Sequence, residues 1–166
     1  MQTKAKFPKP LFELRGRASF IDLSAYVSGV SYAAGLIIAG PARIRSEIIS
    51  GGPALYVLLA SFAAFIAAVL LIQRHMGFSL TVNTFGKPRH FVTDGIFRYS
   101  RNPVYVAFLL PLASLAVLSV TAAVAAIGLY VLAMNVTVIR TEERDLAERF
   151  GEEFAAYVAK VPRWLF

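Results

Sequence analysis

The sequence predicts an all-α integral membrane protein. It reads as four transmembrane helices, the last two forming a helical hairpin, with a cytoplasmic loop and a C-terminal amphipathic helix. Three observations lead there. The 166 residues are 57% hydrophobic and 16% charged, against roughly 45–50% and ~25% in ordinary soluble domains, and the mean hydropathy is +0.62. The apolar residues come in long uncharged runs. The 17 Lys and Arg residues sort to one side of those runs. A soluble enzyme, a disordered tail and a nucleic-acid-binding module all need more polar surface than this, so the net charge of +7 does not point to nucleic acid. Without cysteine there is no disulfide framework and no thiolate zinc site. Two histidines do not fill a multi-histidine metal site unless carboxylates dominate it, and no metal is expected.

Residues 1–18 form a basic lead-in with Pro8 and Pro10, held at anionic headgroups. The apolar run that follows is too long for a signal-peptide core of about 7–15 residues. Asp22 and Arg43 bracket 20 uncharged residues, and Glu47 and Arg74 bracket 26 more with a core at Leu55–Ile72. A hydrocarbon core of ~30 Å needs about 20 helical residues, so each is one span. Arg101 and Arg140 bracket 38, nearly twice the need, and a hairpin turning near Leu118-Ser119-Val120-Thr121 accommodates them with each arm slightly short. Small residues recur at helical spacing, Ser31, Gly35 and Ala39 in span one and Ala60, Ala64 and Ala68 in span two. Such rows let helices approach closely, here within the bundle in preference to a homodimer seam; monomer or homo-oligomer stays undecided.

With four spans, the N-terminus, the loop after span two and the C-terminus share one side. That side holds 15 of the 17 basic residues, leaving Arg43 and Arg45 opposite. The positive-inside rule makes it cytoplasmic, in the inner or plasma membrane if the chain is bacterial. The whole chain, 1–166, is one membrane domain: the lead-in, two N-terminal spans over 19–72 and a functional core over 73–166.

Two polar segments stand out. The loop from Gln73 to Asn102 is long for a connector; it contains a turn signal at Val92-Thr93-Asp94-Gly95, and Pro103 suits the first turn of span three. Arg98, Tyr99 and Arg101 then sit at headgroup depth, as snorkelling anchors or as site residues. In the C-terminal segment Leu146, Phe150, Phe154, Tyr157 and Val161 make an apolar helical stripe that Gly151 interrupts. Glu142 and Glu143 fall at the membrane boundary, either on a solvated face or turned inward to fix a ligand carrying amine or hydroxyl donors. No phosphate-cradling, nucleophile-elbow or HExxH motif is present, which leaves hydrolase, kinase and metalloprotease chemistry without support.

Taken together, His90, Val92-Thr93-Asp94-Gly95, Arg98-Tyr99, Arg101-Asn102-Pro103 and Tyr105 resemble one motif of the isoprenylcysteine carboxyl methyltransferase family and its phospholipid-methyltransferase relatives. Glu142, Glu143, Leu146, Phe150, Gly151, Phe154 and Tyr157 resemble the second. The resemblance covers residues ~75–163, with both motifs in order around a hairpin; spans one and two are similar in topology only. Asn102 stands where the eukaryotic carboxyl methyltransferases carry His, Phe97 and Phe154 replace tyrosines, and the ending keeps Val161-Pro162-Arg163 but lacks a final proline.

The resemblance implies an integral membrane methyltransferase using S-adenosylmethionine (SAM). Carried over by position, the cofactor-binding candidates are His90, Val92, Gly95, Tyr99, Arg101, Asn102, Pro103, Tyr105 and Glu142. The cofactor's carboxylate wants an arginine or helix N-terminal amides, and its ammonium and sulfonium want carboxylates and aromatic faces. The implied acceptor is lipidic or a small apolar molecule. If it is a carboxylate, Arg163 or Arg98 orients it; if an amine, Glu143 accepts its proton. The competing expectations are an NADPH-dependent intramembrane reductase of related architecture and a non-catalytic membrane adaptor.

Overall fold

The structure, a computed structural model, describes residues 20–75 and 91–165. The lead-in at 1–18 and His90 lie outside the described residues. Those described form α-helices and short 3₁₀ turns, with no strand: α1 (Phe20–Ala39), α2 (Pro41–Ser50), α3 (Pro53–His75), a 3₁₀ turn at Gly95–Arg98, α4 (Pro103–Ala107), α5 (Leu109–Ser114), a 3₁₀ turn at Leu115–Val117, α6 (Val120–Val136) and α7 (Val138–Val158).

Three helical stretches among these residues are long and apolar enough to cross a membrane: Asp22–Ala39, Pro53–Arg74 and the continuous Val120–Val158. The arm Pro103–Val117 is shorter, about 22 Å at ~1.5 Å per residue, and it is broken. Pro111 has no N–H and its ring crowds the carbonyl four residues back, that of Ala107, where α4 stops. Two residues earlier, the Tyr105 carbonyl accepts a hydrogen bond from the buried Tyr130 hydroxyl at 3.1 Å. The chain reverses at Leu118-Ser119, where the Ser119 hydroxyl caps α6 by accepting from the Ala122 N–H.

α1 packs along α6, with Gly35 at the closest approach. A Cβ there would lie 2.5 Å from Leu115 Cδ1 and 3.1 Å from Ala126 Cβ. Ser24, Ser28 and Ser31 are buried on that face of α1, so the small row of span one closes an intramolecular contact. The row in span two does not: Ala60 and Ala64 are exposed and Ala68 is half-buried. α3 packs through other residues. Phe65 meets Phe108 at 4.6 Å between ring centroids, Phe62 meets Tyr32 edge-on at 5.4 Å, and the Ser61 hydroxyl bonds that of Ser114 at 3.0 Å. The core runs through Leu112, Leu115, Leu118, Ala126, Tyr130, Met134, Val138 and Ile139.

At ~1.5 Å per residue, Val120 to Ile139 already reaches about 30 Å, the thickness of a hydrocarbon core. The charged part of α7, from Arg140 on, is therefore not needed to reach that length. The helix bends twice: at Thr137, whose hydroxyl bonds the Ala133 carbonyl at 2.6 Å, and at Gly151, whose φ of 48° and ψ of −116° are not helical.

Candidate functional site

Polar side chains collect at one end of the bundle, where α4 begins, α6 passes into α7 and the last residues of the chain return. The approach to α4 is pinned to α7 by aromatic contacts. Phe91 stacks on Phe150 at 5.0 Å and meets Phe154 and Tyr157 edge-on, so the α7 stripe of Leu146, Phe150, Phe154 and Tyr157, continued by Val161, is covered by the loop. Val92 is half-buried. Gly95 has φ 59°, a region open to glycine at little steric cost, and turns the chain into Gly95–Arg98. The Tyr157 hydroxyl closes this substructure by donating to the Phe97 carbonyl at 2.7 Å; burial pushes that phenol up to about 12.

α4 starts with Asn102 at its N-cap and Pro103 in the first turn. Instead of capping the helix, the Asn102 side chain donates to the Arg163 carbonyl at 2.9 Å. Ser100 donates to the same carbonyl at 3.2 Å and accepts from the Asn102 N–H. The Arg101 N–H donates to the Pro162 carbonyl at 3.0 Å. The C-terminal strap is thus stitched through its backbone carbonyls to Ser100 and the Arg-Asn-Pro segment. Trp164, 6% exposed, fixes its end against Tyr130.

At the centre is Glu143, 5% exposed. Its Oε1 accepts from Arg101 Nη1 at 2.7 Å and from Arg163 Nε at 3.0 Å, and its Oε2 accepts from Arg163 Nη2 at 2.5 Å. The Arg163 pair is a two-pronged guanidinium–carboxylate contact, the strong form of an ion pair. Arg163 Nη1 also donates to Asn135 Oδ1 at 3.2 Å, while the Asn135 amide is held on α6 by the Val131 carbonyl. Two guanidinium groups on one carboxylate leave an excess of one positive charge. The buried Arg101 Nε has no hydrogen-bond partner among the described residues. Burial, then the charge of Arg163, lower the Arg101 pKa, opposed by Glu143. This is an environment that favours an added anion.

Glu142 faces a different partner. Its Oε2 accepts from the Tyr105 hydroxyl at 2.8 Å. Burial raises its carboxyl to about 6; the charges of Glu143 and Asp145 push the same way, and the Tyr105 hydrogen bond opposes them.

Beside this cluster runs an open groove of about 530 Å³. Leu71 and Ile72 of α3 form one wall, Tyr99, Pro103 and Val106 the other, and Leu165 and Ser100 also line it. Ser100 joins the two regions, since its hydroxyl lies in the hydrogen-bond web of Asn102 and Arg163.

Of the residues singled out in the sequence, Arg101, Asn102, Pro103, Tyr105, Glu142, Glu143 and Arg163 come together here, with Val92 and Gly95 in the supporting loop. Arg98 and Tyr99 are exposed; Tyr99 lines the groove and Arg98 stays outside the Glu143 ion cluster. Asn135, Ser100 and Trp164 belong to the site and were not among the candidates. Asn135 carried a usable signal, a strongly polar side chain within an apolar run. Ser100 and Trp164 carried none.

No curated protein and no solved structure matches the chain. The sequence model of the phospholipid methyltransferase family matches residues 53–153, a stretch that takes in α3, one wall of the groove, the Arg-Asn-Pro segment, the hairpin and both glutamates, and stops short of Arg163. A membrane-suited helical bundle with this match over more than half its length belongs to the phospholipid methyltransferase family, a family of membrane methyltransferases.

Proposed function

We propose that the protein transfers a methyl group from S-adenosylmethionine to a lipidic or small apolar acceptor. The observation that carries this reading is a buried charge cluster with an excess positive charge and a free donor, Arg101 Nε, set against an apolar groove. The residues present fit the cofactor. Arg101 offers a donor for its carboxylate, Glu142 offers a carboxylate for its ammonium or ribose hydroxyls, and Tyr105 and Tyr157 offer aromatic faces. When bound, it would supply a methyl group activated on a sulfonium.

The chain's own groups do the rest. The groove admits an apolar acceptor from the side, and an acceptor seated there displaces water, which strengthens electrostatics and holds reactants in line. Glu143, with both oxygens committed to arginines, serves better as the fixed point of the cluster than as the base. Glu142, raised to about 6, suits proton acceptance from an amine near neutral pH. For a carboxylate acceptor, Arg163 is the orienting group inside the cluster and Arg98 the one at its exposed edge. We also propose that the broken arm Pro103–Val117 completes a fourth crossing, thinning the bilayer locally to meet its length. Both termini and the site then face the cytoplasm, the side with most basic residues.

Titration of SAM into the detergent-purified protein tests the cofactor half. Saturable binding that Arg101→Ala abolishes is expected; no saturation by a protein with an intact helical circular-dichroism spectrum would favour the adaptor. Labelled-methyl transfer to prenylcysteines, aminophospholipids, thiols and quinone-like lipids then identifies the acceptor.

A further inference from the structure

Helix α2 has no place in the site. It lies between two helices each long enough to cross a membrane, entered through Gly40 at φ 90° and left through Gly51 at φ 60°. Because α1 ends at Ala39 and α3 starts at Pro53, these turns set α2 at a membrane boundary. That boundary is opposite the Glu143 cluster, since it is the other end of α3, at Ile72, that lines the groove by Ser100.

The ten residues are amphipathic. At 100° per residue, Ile44, Ile48 and Ile49 fall on one arc with Pro41 and Ala42, and Arg43, Ser46, Glu47 and Ser50 fall on the other. Arg45 lies within the apolar arc, where a long basic side chain can snorkel. Ile44 packs against the bundle core. Ile48, one turn further along the same face, is 59% exposed, and Ile49 is 73% exposed. The apolar face therefore starts on the protein and continues past its edge, at the level where the spans end.

We propose that α2 is a membrane-surface anchor that seats Ile48 and Ile49 at the acyl boundary and pairs Arg43 and Arg45 with anionic phospholipid headgroups. Position selects a lipid surface: the exposed isoleucines continue a face that already meets the apolar bundle. Charge complementarity selects anionic headgroups, because both arginines are exposed on the end of the bundle far from the Glu143 cluster. This inference does not depend on the identity of the cofactor or the methyl acceptor.

The chain has no cysteine, so single Ser46→Cys and Ile49→Cys variants of the full protein accept one spin label each. They are reconstituted in phosphatidylcholine vesicles with or without phosphatidylglycerol, and depth is read from oxygen against nickel-chelate accessibility. The label at 49 should sit about 5–10 Å below the headgroup boundary, the usual depth of an interfacial helix face, with the label at 46 in water. Phosphatidylglycerol should deepen the label at 49, and Arg43→Gln with Arg45→Gln should remove that dependence. A label at 49 as water-accessible as that at 46 overturns the proposal. Dipolar coupling between labels at 49 on two copies also overturns it, in favour of a self-association face. Equal depth with and without phosphatidylglycerol overturns the headgroup assignment.

Discussion

α3 and α6 are both strongly apolar helices, yet they do opposite things. In α3 only 6% of the apolar window is buried, while the α6–α7 window is 39% buried. α3 turns Tyr56, Leu59, Phe62, Ile66 and Leu70 outward, whereas α6 buries Ala122, Ala123, Ala126, Tyr130 and Met134. Lipid tails are as apolar as leucine, so size and hydrophobicity give a side chain no reason to turn inward in a membrane. Small residues that permit close approach, and polar groups that need partners, choose the central helix. α6 has both, and its continuation α7 carries the glutamates; α3 touches the bundle along one narrow side through Ser61 and Phe65 and lends one wall to the groove.

The largest expected effect is on the wired helix. Glu143→Gln leaves two arginines facing a neutral amide, and removing one partner of a buried ion pair costs about 3–5 kcal/mol. A thermal melt in detergent should show the loss, together with loss of SAM binding. Arg101→Lys keeps the charge but removes the Nε donor and the fork geometry, so it isolates cofactor affinity from folding; SAM should bind at least about tenfold more weakly with the melting temperature nearly unchanged.

Next comes helix contact. Gly35→Leu drives a side chain into Leu115 and Ala126 and should cost about 1–3 kcal/mol, the usual cost of overpacking. Gly128, on the open face of α6, has nothing within 4 Å of an added Cβ, and Gly128→Ala should gain about 0.5–1 kcal/mol from helix propensity. Equal and small effects at the two glycines would break the distinction between the packed and open faces.

Glu142 gives a pH signature. Its carboxyl is raised from 4.5 to about 6, so the folded state favours the protonated form. Its stabilising contribution is complete below pH 4.5 and is lost as the pH rises through 6. Methyl transfer to an amine should run the other way, falling about tenfold per unit below pH 6 and levelling above it. Tyr105→Phe removes the hydrogen bond that favours the ionised form and should move this limb to higher pH; a limb that stays in place would separate Glu142 from the chemistry. The smallest effect belongs to α3: Ala64→Leu, on its exposed face, should change stability by no more than about 0.5 kcal/mol.

Much of this is legible in the sequence. Uncharged runs located α1, α3 and the hairpin, because hydrocarbon tolerates so few charges that their absence marks a span. Arg101, Asn102, Glu142 and Glu143 were legible as members of two motifs; which of them meet was not. Neither run length nor motif revealed α2, whose ten residues mix arginines with isoleucines and read as a loop. Run length also missed the break in the Pro103–Val117 arm, although Pro111 was in view, because whether a proline ends a helix or is absorbed as a kink depends on the tertiary packing around it.

The sequence by itself determined that the chain is a membrane-suited helical protein with its chemistry at one end, because charge and hydrocarbon exclude each other and the charges are unevenly placed. The tertiary structure decided which partners each glutamate meets. Glu142 and Glu143 are adjacent in the chain, but the helical rotation of 100° between them aims one at Tyr105 and the other at two arginines. Their different surroundings tie Glu143 into an ion cluster and raise the carboxyl of Glu142. That division rests on Arg163 returning from the far end of the chain, and on Asn135 and Ser100 waiting to receive it.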